Sequence, residues 1–240
     1  MTHRAWFPLV ALWALSPGCA ADPGTRPHEM SAAQHQAAAD EEMVAAQGHV
    51  EQHDPNAANV TETCDSRSGS CWTSISNPTA QHREDADRHR ELAAKHRAAS
   101  AALADAEARA CLAIPEADRD QSPFYHREDI QSVSPLTKET QDALSLKTGQ
   151  ARKTEIGVTV VFRPVKGLTA EWLQRLIDCH LARAASVGHE MPEMSYCPLV
   201  PKGVEARVTS TGNGFAVNIS ATDKATIQEI KKRAGALLAR

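Results

Sequence analysis

The hydrophobic pattern divides the chain into three regimes. Ala5 to Leu15 form a continuous apolar run behind a short charged start at His3 and Arg4. Residues 32–47 and 79–110 are rich in Ala, Glu, Gln and His, with few large apolar side chains. Beyond residue 156 the chain carries clear strand and amphipathic-helix patterns. The first run is too short to span a bilayer, which takes about 20 residues. It suits the apolar core of a secretory leader.

The middle regime reads as two helices. Ser31 and Gln34 stand at the spacing of a capping box. The Ala-rich stretch from Ala32 to Gln47 favours helix, Gly48 weakens it, and Asp54-Pro55 ends it. A longer helix is expected from about Thr79 to Ala110, with an apolar seam of Leu92, Ala99, Leu103, Ala106 and Ala110. Together they predict an antiparallel hairpin, in which Ala permits close approach. Residues 55–79, rich in Asn, Ser and Thr, read as the loop between them. Residues 115–136 are acidic and interrupted by prolines. Glu116, Asp118 and Asp120 alternate as in a calcium loop, but the required glycine and distal Glu are absent, with Arg127 at the twelfth position. They read as a solvated turn, and residues 137–155 as a polar linker.

The last regime is the clearest domain. Ile156 to Phe162 is a strand. Thr169 to Val187 is an amphipathic helix carried by Leu173, Leu176, Ile177, Ala184 and Val187. Val204 to Val208 and Phe215 to Ile219 flank a hairpin turn at Thr211-Gly212-Asn213-Gly214. Asp223 can cap a final helix. The order β-α-β-β-α predicts a three-stranded sheet with both helices on one face, an α+β fold. It resembles a ferredoxin-like fold lacking its last strand. The heavy-metal-associated domains share that fold, but their cysteine-pair loop after the first strand is absent here, so the resemblance implies architecture without function. The expected divisions are a signal peptide over 1–18, a tether over 19–30, a helical hairpin over 31–112, an irregular linker over 113–155 and the α+β domain over 156–240.

The leader ends Ser16-Pro17-Gly18-Cys19. Gly18-Cys19 resembles the end of a bacterial lipoprotein signal. That resemblance implies lipidation of Cys19 and attachment to a membrane in the cell envelope, by the two or more acyl chains that stable anchoring needs. Ala20, where the family places Asp for inner-membrane retention, implies the outer membrane, facing the periplasm. The alternative is ordinary leader cleavage near Ala20 or Ala21. The net charge of −4, with both signs mixed throughout and no basic run, excludes nucleic acid as a partner.

Export to an oxidising compartment allows disulfides. Cys64, Cys71, Cys111, Cys179 and Cys197 are an odd number, leaving at least one unpaired. Cys64 with Cys71, and Cys179 with Cys197, are the expected bridges. His189, Met191, Met194 and Cys197 place four soft or borderline donors in nine residues, with Cys179 and His180 one helix upstream. The competing reading is a site for copper or zinc. If the disulfide forms, His180 is a hydrogen-bonded core histidine.

His82, His89 and His96 recur every seven residues, about 10.5 Å of helix. That is too far for neighbours to share an ion. They read as a solvated polar face. Alternatively each meets a partner from the first helix and its flanks, which offer His28, Met30, His35, Met43, His49 and His53. The common nucleophile, phosphate-loop, dinucleotide and zinc-protease motifs are absent, so an enzyme is not expected. The leading expectation is a structural module that binds another envelope protein. The alternative is sequestration of a soft or borderline metal ion. Replacing Cys19 with Ala should release the protein into the soluble envelope fraction. Complete retention on membranes, with an unmodified Cys19 found by mass spectrometry in the wild type, would refute the lipid anchor.

Overall fold

The computed structural model describes residues 22–140 and 152–238. The leader and Cys19 lie outside the described residues. Among those described, no helix is long and apolar enough to cross a membrane.

Helix α1 (Ala32–Gln52) starts at the expected cap: Ser31 Oγ accepts from the Gln34 amide and Gln34 Oε1 accepts from the Ser31 amide. It packs antiparallel on α2 (Ala80–Ala110). The contacts fall in layers. His35 meets His96, Glu42 meets His89, and His49 meets His82. Each step of seven along α1 is matched by a step of seven back along α2, the repeat of a left-handed coiled coil. The other core positions are alanines: Ala39 and Ala46 on α1, Ala86 and Ala93 on α2, each at most 2% exposed. The face containing His82, His89 and His96 is therefore turned to α1. The expectation of a solvated face gives way to cross-helix pairing.

Two segments read as irregular are ordered. Residues 22–30, expected as a tether, lie on the hairpin: Asp22 pairs with Lys95 at 2.7 Å, and the Arg26 carbonyl faces His35 Nε2 at 3.1 Å. Residues 55–79 hold an antiparallel ribbon, β1 (Asn59–Cys64) and β2 (Cys71–Ser76), closed by a Cys64–Cys71 disulfide. Gly69, at φ +66°, makes the tight return.

At the far end of α2, Cys111 is bonded to Cys179 on α4 (Ala170–Ser186), past the single turn α3 (Glu116–Arg119). The expected Cys179–Cys197 bridge is thus corrected. Successive residues on a helix point about 100° apart. Cys179 faces a small cluster with Cys111 and Ile114, while His180 faces the main core that contains Cys197.

The C-terminal sheet has four antiparallel strands, not three, in the order β3 (Ile130–Thr140), β4 (Arg152–Phe162), β6 (Gly214–Ser220), β5 (Glu205–Thr211). The β3 strand lies in the segment expected as linker, so the domain boundary moves upstream of residue 156. Pro135 hid it, but a proline is tolerated on an edge strand, where its missing N–H is not needed by a neighbour. Val158, Val160 and Phe162 alternate inward on β4 and meet Val217 and Ile219 of β6. Leu173 and Ile177 of α4, and Ile227 and Ile230 of α5 (Lys224–Ala236), complete one core. Phe124, fully buried from the former linker, sets its ring 5.6 Å from that of Phe162.

The Cys111–Cys179 bond spans 68 residues and in the chain-entropy model contributes about 4 kcal/mol. Non-reducing peptide mapping should find Cys64–Cys71 and Cys111–Cys179, with Cys197 as a thiol. A Cys111→Ser/Cys179→Ser variant should melt at lower temperature. A Cys179–Cys197 peptide would overturn this arrangement.

Candidate metal site in the helical hairpin

His49, His82 and Asp85 come together where α1 ends and α2 begins. One donor atom from each lies within 4.8 Å of the others. His82 and Asp85 are three apart on α2 and share a face; His49 reaches them from α1 across the alanine layer of Ala46 and Ala86. The two imidazoles meet Nδ1 to Nδ1 at 3.2 Å. A hydrogen bond there needs one proton between the two nitrogens, a place that an ion can take. Asp85 is held below the ordinary carboxylate range, first by the Gln81 amide that donates to it, then by the positive charge of Arg88. It is therefore an anion ready beside two imidazoles.

Neighbouring layers differ in chemistry. The His89 ring stacks on His49, with centroids 5.3 Å apart and planes 16° apart, and its Nδ1–H donates to Glu42 Oε2 at 2.5 Å. His35 and His96 also meet Nδ1 to Nδ1, at 3.0 Å. His35 Nε2–H donates to the Arg26 carbonyl, which can only accept. With Nε2 donating, His35 can offer a bare Nδ1 to His96 Nδ1–H. That pair is buried and satisfied, a structural contact. His53 Nδ1–H donates to the Thr79 carbonyl at the tip.

The donors expected after the amphipathic helix do not form one site. Cys179 is spent in its bond to Cys111. His189, at φ +63°, donates from Nδ1 to the Val200 carbonyl at 2.8 Å. Met191 and Met194 are buried as apolar side chains of the core. His180 and Cys197 do meet, with Nε2 and Sγ 3.4 Å apart. Burial pushes the Cys197 thiol up and holds the His180 imidazole down at about 4, the positive charge of Arg183 adding to the latter. Both are thus neutral, they share one hydrogen bond whose direction follows the His180 tautomer, and His180 Nδ1 is left without a partner. A protonated, buried thiol is inert as a nucleophile. Glu62, Cys64 and Cys71 also cluster, but both sulfurs are in the disulfide.

Sequence reasoning placed His49 and His82 among the candidate metal contacts but missed Asp85 and Glu42. The available signal was the match of heptads: His35, Glu42 and His49 on one helix against His82, His89 and His96 on the other. Comparison with known protein families, curated proteins and solved structures gives no match.

His180 gives a pH prediction. In the unfolded chain its imidazole takes a proton near 6.5, whereas in the fold it resists until about 4. Between those values the unfolded state binds more protons, so stability rises with pH. The contribution is full above pH 6.5 and falls as pH drops to 4, by roughly 3 kcal/mol in all. Urea unfolding at pH 7.5, 5.5 and 4.5 should show this loss, and His180→Gln should reduce it. His189, also held down by burial, leaves a residual slope of the same sign. An unchanged pH profile in His180→Gln would contradict the assignment.

Proposed function

We propose that the protein binds a borderline divalent transition-metal ion, zinc or copper(II), in the hairpin seam, with His49, His82 and Asp85 as ligands. The supporting observation is the meeting of these three donors, within 4.8 Å, from two helices. Tetrahedral zinc sets its ligands about 3.4 Å apart at bond lengths near 2.1 Å, so small rotamer changes suffice to close the set. Asp85 must give up its ion pair with Arg88, whose own side chain is 64% exposed and can turn to solvent. Imidazole and carboxylate without sulfur favour divalent ions over Cu(I), so the metal reading moves from the His189–Cys197 loop to the hairpin. Three protein ligands leave a fourth position for water. On this reading lipid on Cys19 holds the chain in the cell envelope, at the outer membrane facing the periplasm, and the seam sequesters the ion there. We read the C-terminal unit as a ferredoxin-like layout whose edge is filled by the preceding strand, β3, in place of the missing last one.

A second reading, an interaction module for another envelope protein, is favoured by the β1–β2 ribbon. Val60, Trp72 and Ile75 are 68%, 54% and 73% exposed on it. Its strands pair only with each other among the described residues.

Calorimetric titration of the metal-free chain, disulfides intact, decides between them. Zinc and copper(II) should bind, and His82→Ala or Asp85→Asn should weaken the tightest site by about 100-fold or more. Met191→Leu/Met194→Leu should leave it unchanged. Equal affinity in wild type and His82→Ala/Asp85→Asn would end the metal reading and leave the ribbon.

A further inference from the structure

We infer that the seam carries a second ion of the same class one heptad away, with Glu42 and His89 as its protein ligands; the inference rests on the metal reading of the first site. The coiled-coil repeat makes the two positions equivalent. Glu42 and His49 are seven apart on α1, as are His82 and His89 on α2, and each pairing spans the two helices. The Glu42 carboxylate and His89 imidazole already meet at 2.5 Å, in the place an ion would occupy. Each side chain is 26% exposed, so an ion can enter and water can complete its shell. The stacked rings of His49 and His89 set the two positions side by side along one seam.

The third layer of the same repeat shows what a position lacks when it is only structural. His35 is fully buried and His96 is 7% exposed. The second nitrogen of His35 is engaged by a backbone carbonyl, and its cross-helix partner is another imidazole, with no carboxylate in the pair. A divalent ion there would lack both a route in and a counter-charge. The outer two positions each have a carboxylate, Asp85 in one and Glu42 in the other. Seven residues of helix set the backbone repeat at about 10.5 Å, and the stacked His49 and His89 rings, with centroids 5.3 Å apart, bring the two positions closer than that. Two ions that close repel, and this repulsion together with only two protein ligands makes the Glu42–His89 position the weaker.

Titration of the full chain with zinc, checked by elemental analysis after dialysis, should give two ions, the second bound about 10-fold to 100-fold more weakly. Glu42→Gln/His89→Ala should bind one ion at the tighter affinity. His96→Gln, verified as helical by circular dichroism, should still bind two. With copper(II), the wild type should show the dipolar broadening and half-field resonance of two spins no more than about 10 Å apart, and Glu42→Gln/His89→Ala should lose both. One ion in the wild type, or two persisting in Glu42→Gln/His89→Ala, overturns the second position and leaves the first. Binding of none overturns both.

Discussion

The close approach of α1 to α2 across alanine layers is the constraint on which the hairpin depends. Ala39, Ala46, Ala86 and Ala93 stand where a coiled coil usually places Leu or Ile. Their small side chains let imidazoles and carboxylates from opposite helices meet within hydrogen-bonding distance. A buried methyl contributes only about 0.8 kcal/mol, against about 1.5–3 kcal/mol for a large aliphatic side chain. The hairpin is therefore thinly held by apolar burial, and Leu103 is the one large aliphatic residue of α1 and α2 that is buried. Cohesion comes from elsewhere. The Cys111–Cys179 bond fastens α2 to α4, Asp22 pairs with Lys95 across the base, and Gly188 lies against Ser31 so closely that a Cβ would stand 3.0 Å from the serine Cβ. At the other end Asn77, Thr79 and Asp54 close the turn into the ribbon through their own hydrogen bonds.

Much of the architecture was legible in the sequence, and the failures have physical causes. The caps at Ser31 and Asp223, the inward stripe of α4 and the β5–β6 hairpin announced themselves by local chemistry. The β1–β2 ribbon did not. Both of its faces are exposed, so hydroxyl and apolar residues are mixed on each and no burial pattern separates them. Cysteine pairing is not a local property, and Cys111 and Cys179 meet because α2 lies along α4. In the site, the seven-residue spacing of His82, His89 and His96 was visible. The rotational phase of one helix against the other was not. Phase alone decides whether those histidines face water or α1, and it singles out Glu42 and Asp85 among 30 acidic residues.

Helix α4 shows how adjacent residues acquire unrelated roles. Cys179 points to α2 and joins two structural units, while His180 points into the sheet and meets Cys197. Burial keeps thiol and imidazole neutral there, so a pair that reads as candidate metal donors in sequence is a core contact in the fold. The same residue types on the hairpin, with water and carboxylates at hand, sit in the opposite environment. Burial and counter-charge, more than residue identity, separate a core histidine from a ligand.

That distinction orders the histidine layers along the hairpin. At the base, His35 and His96 satisfy each other and the Arg26 carbonyl, and contribute register. A buried polar layer of this kind penalises a slipped pairing, because a shift would leave imidazoles facing alanine methyls with unmet hydrogen bonds. Toward the tip, the same repeat gains carboxylates and exposure, and its imidazoles are held in place by the register set at the base. A hairpin with Leu at these positions would be more stable and would have no donors. The polar layers give up hydrophobic burial, and what they provide in return is a set of donor atoms from two helices aligned within hydrogen-bonding distance. Under the proposed metal reading, such alignment lowers the ordering cost of binding.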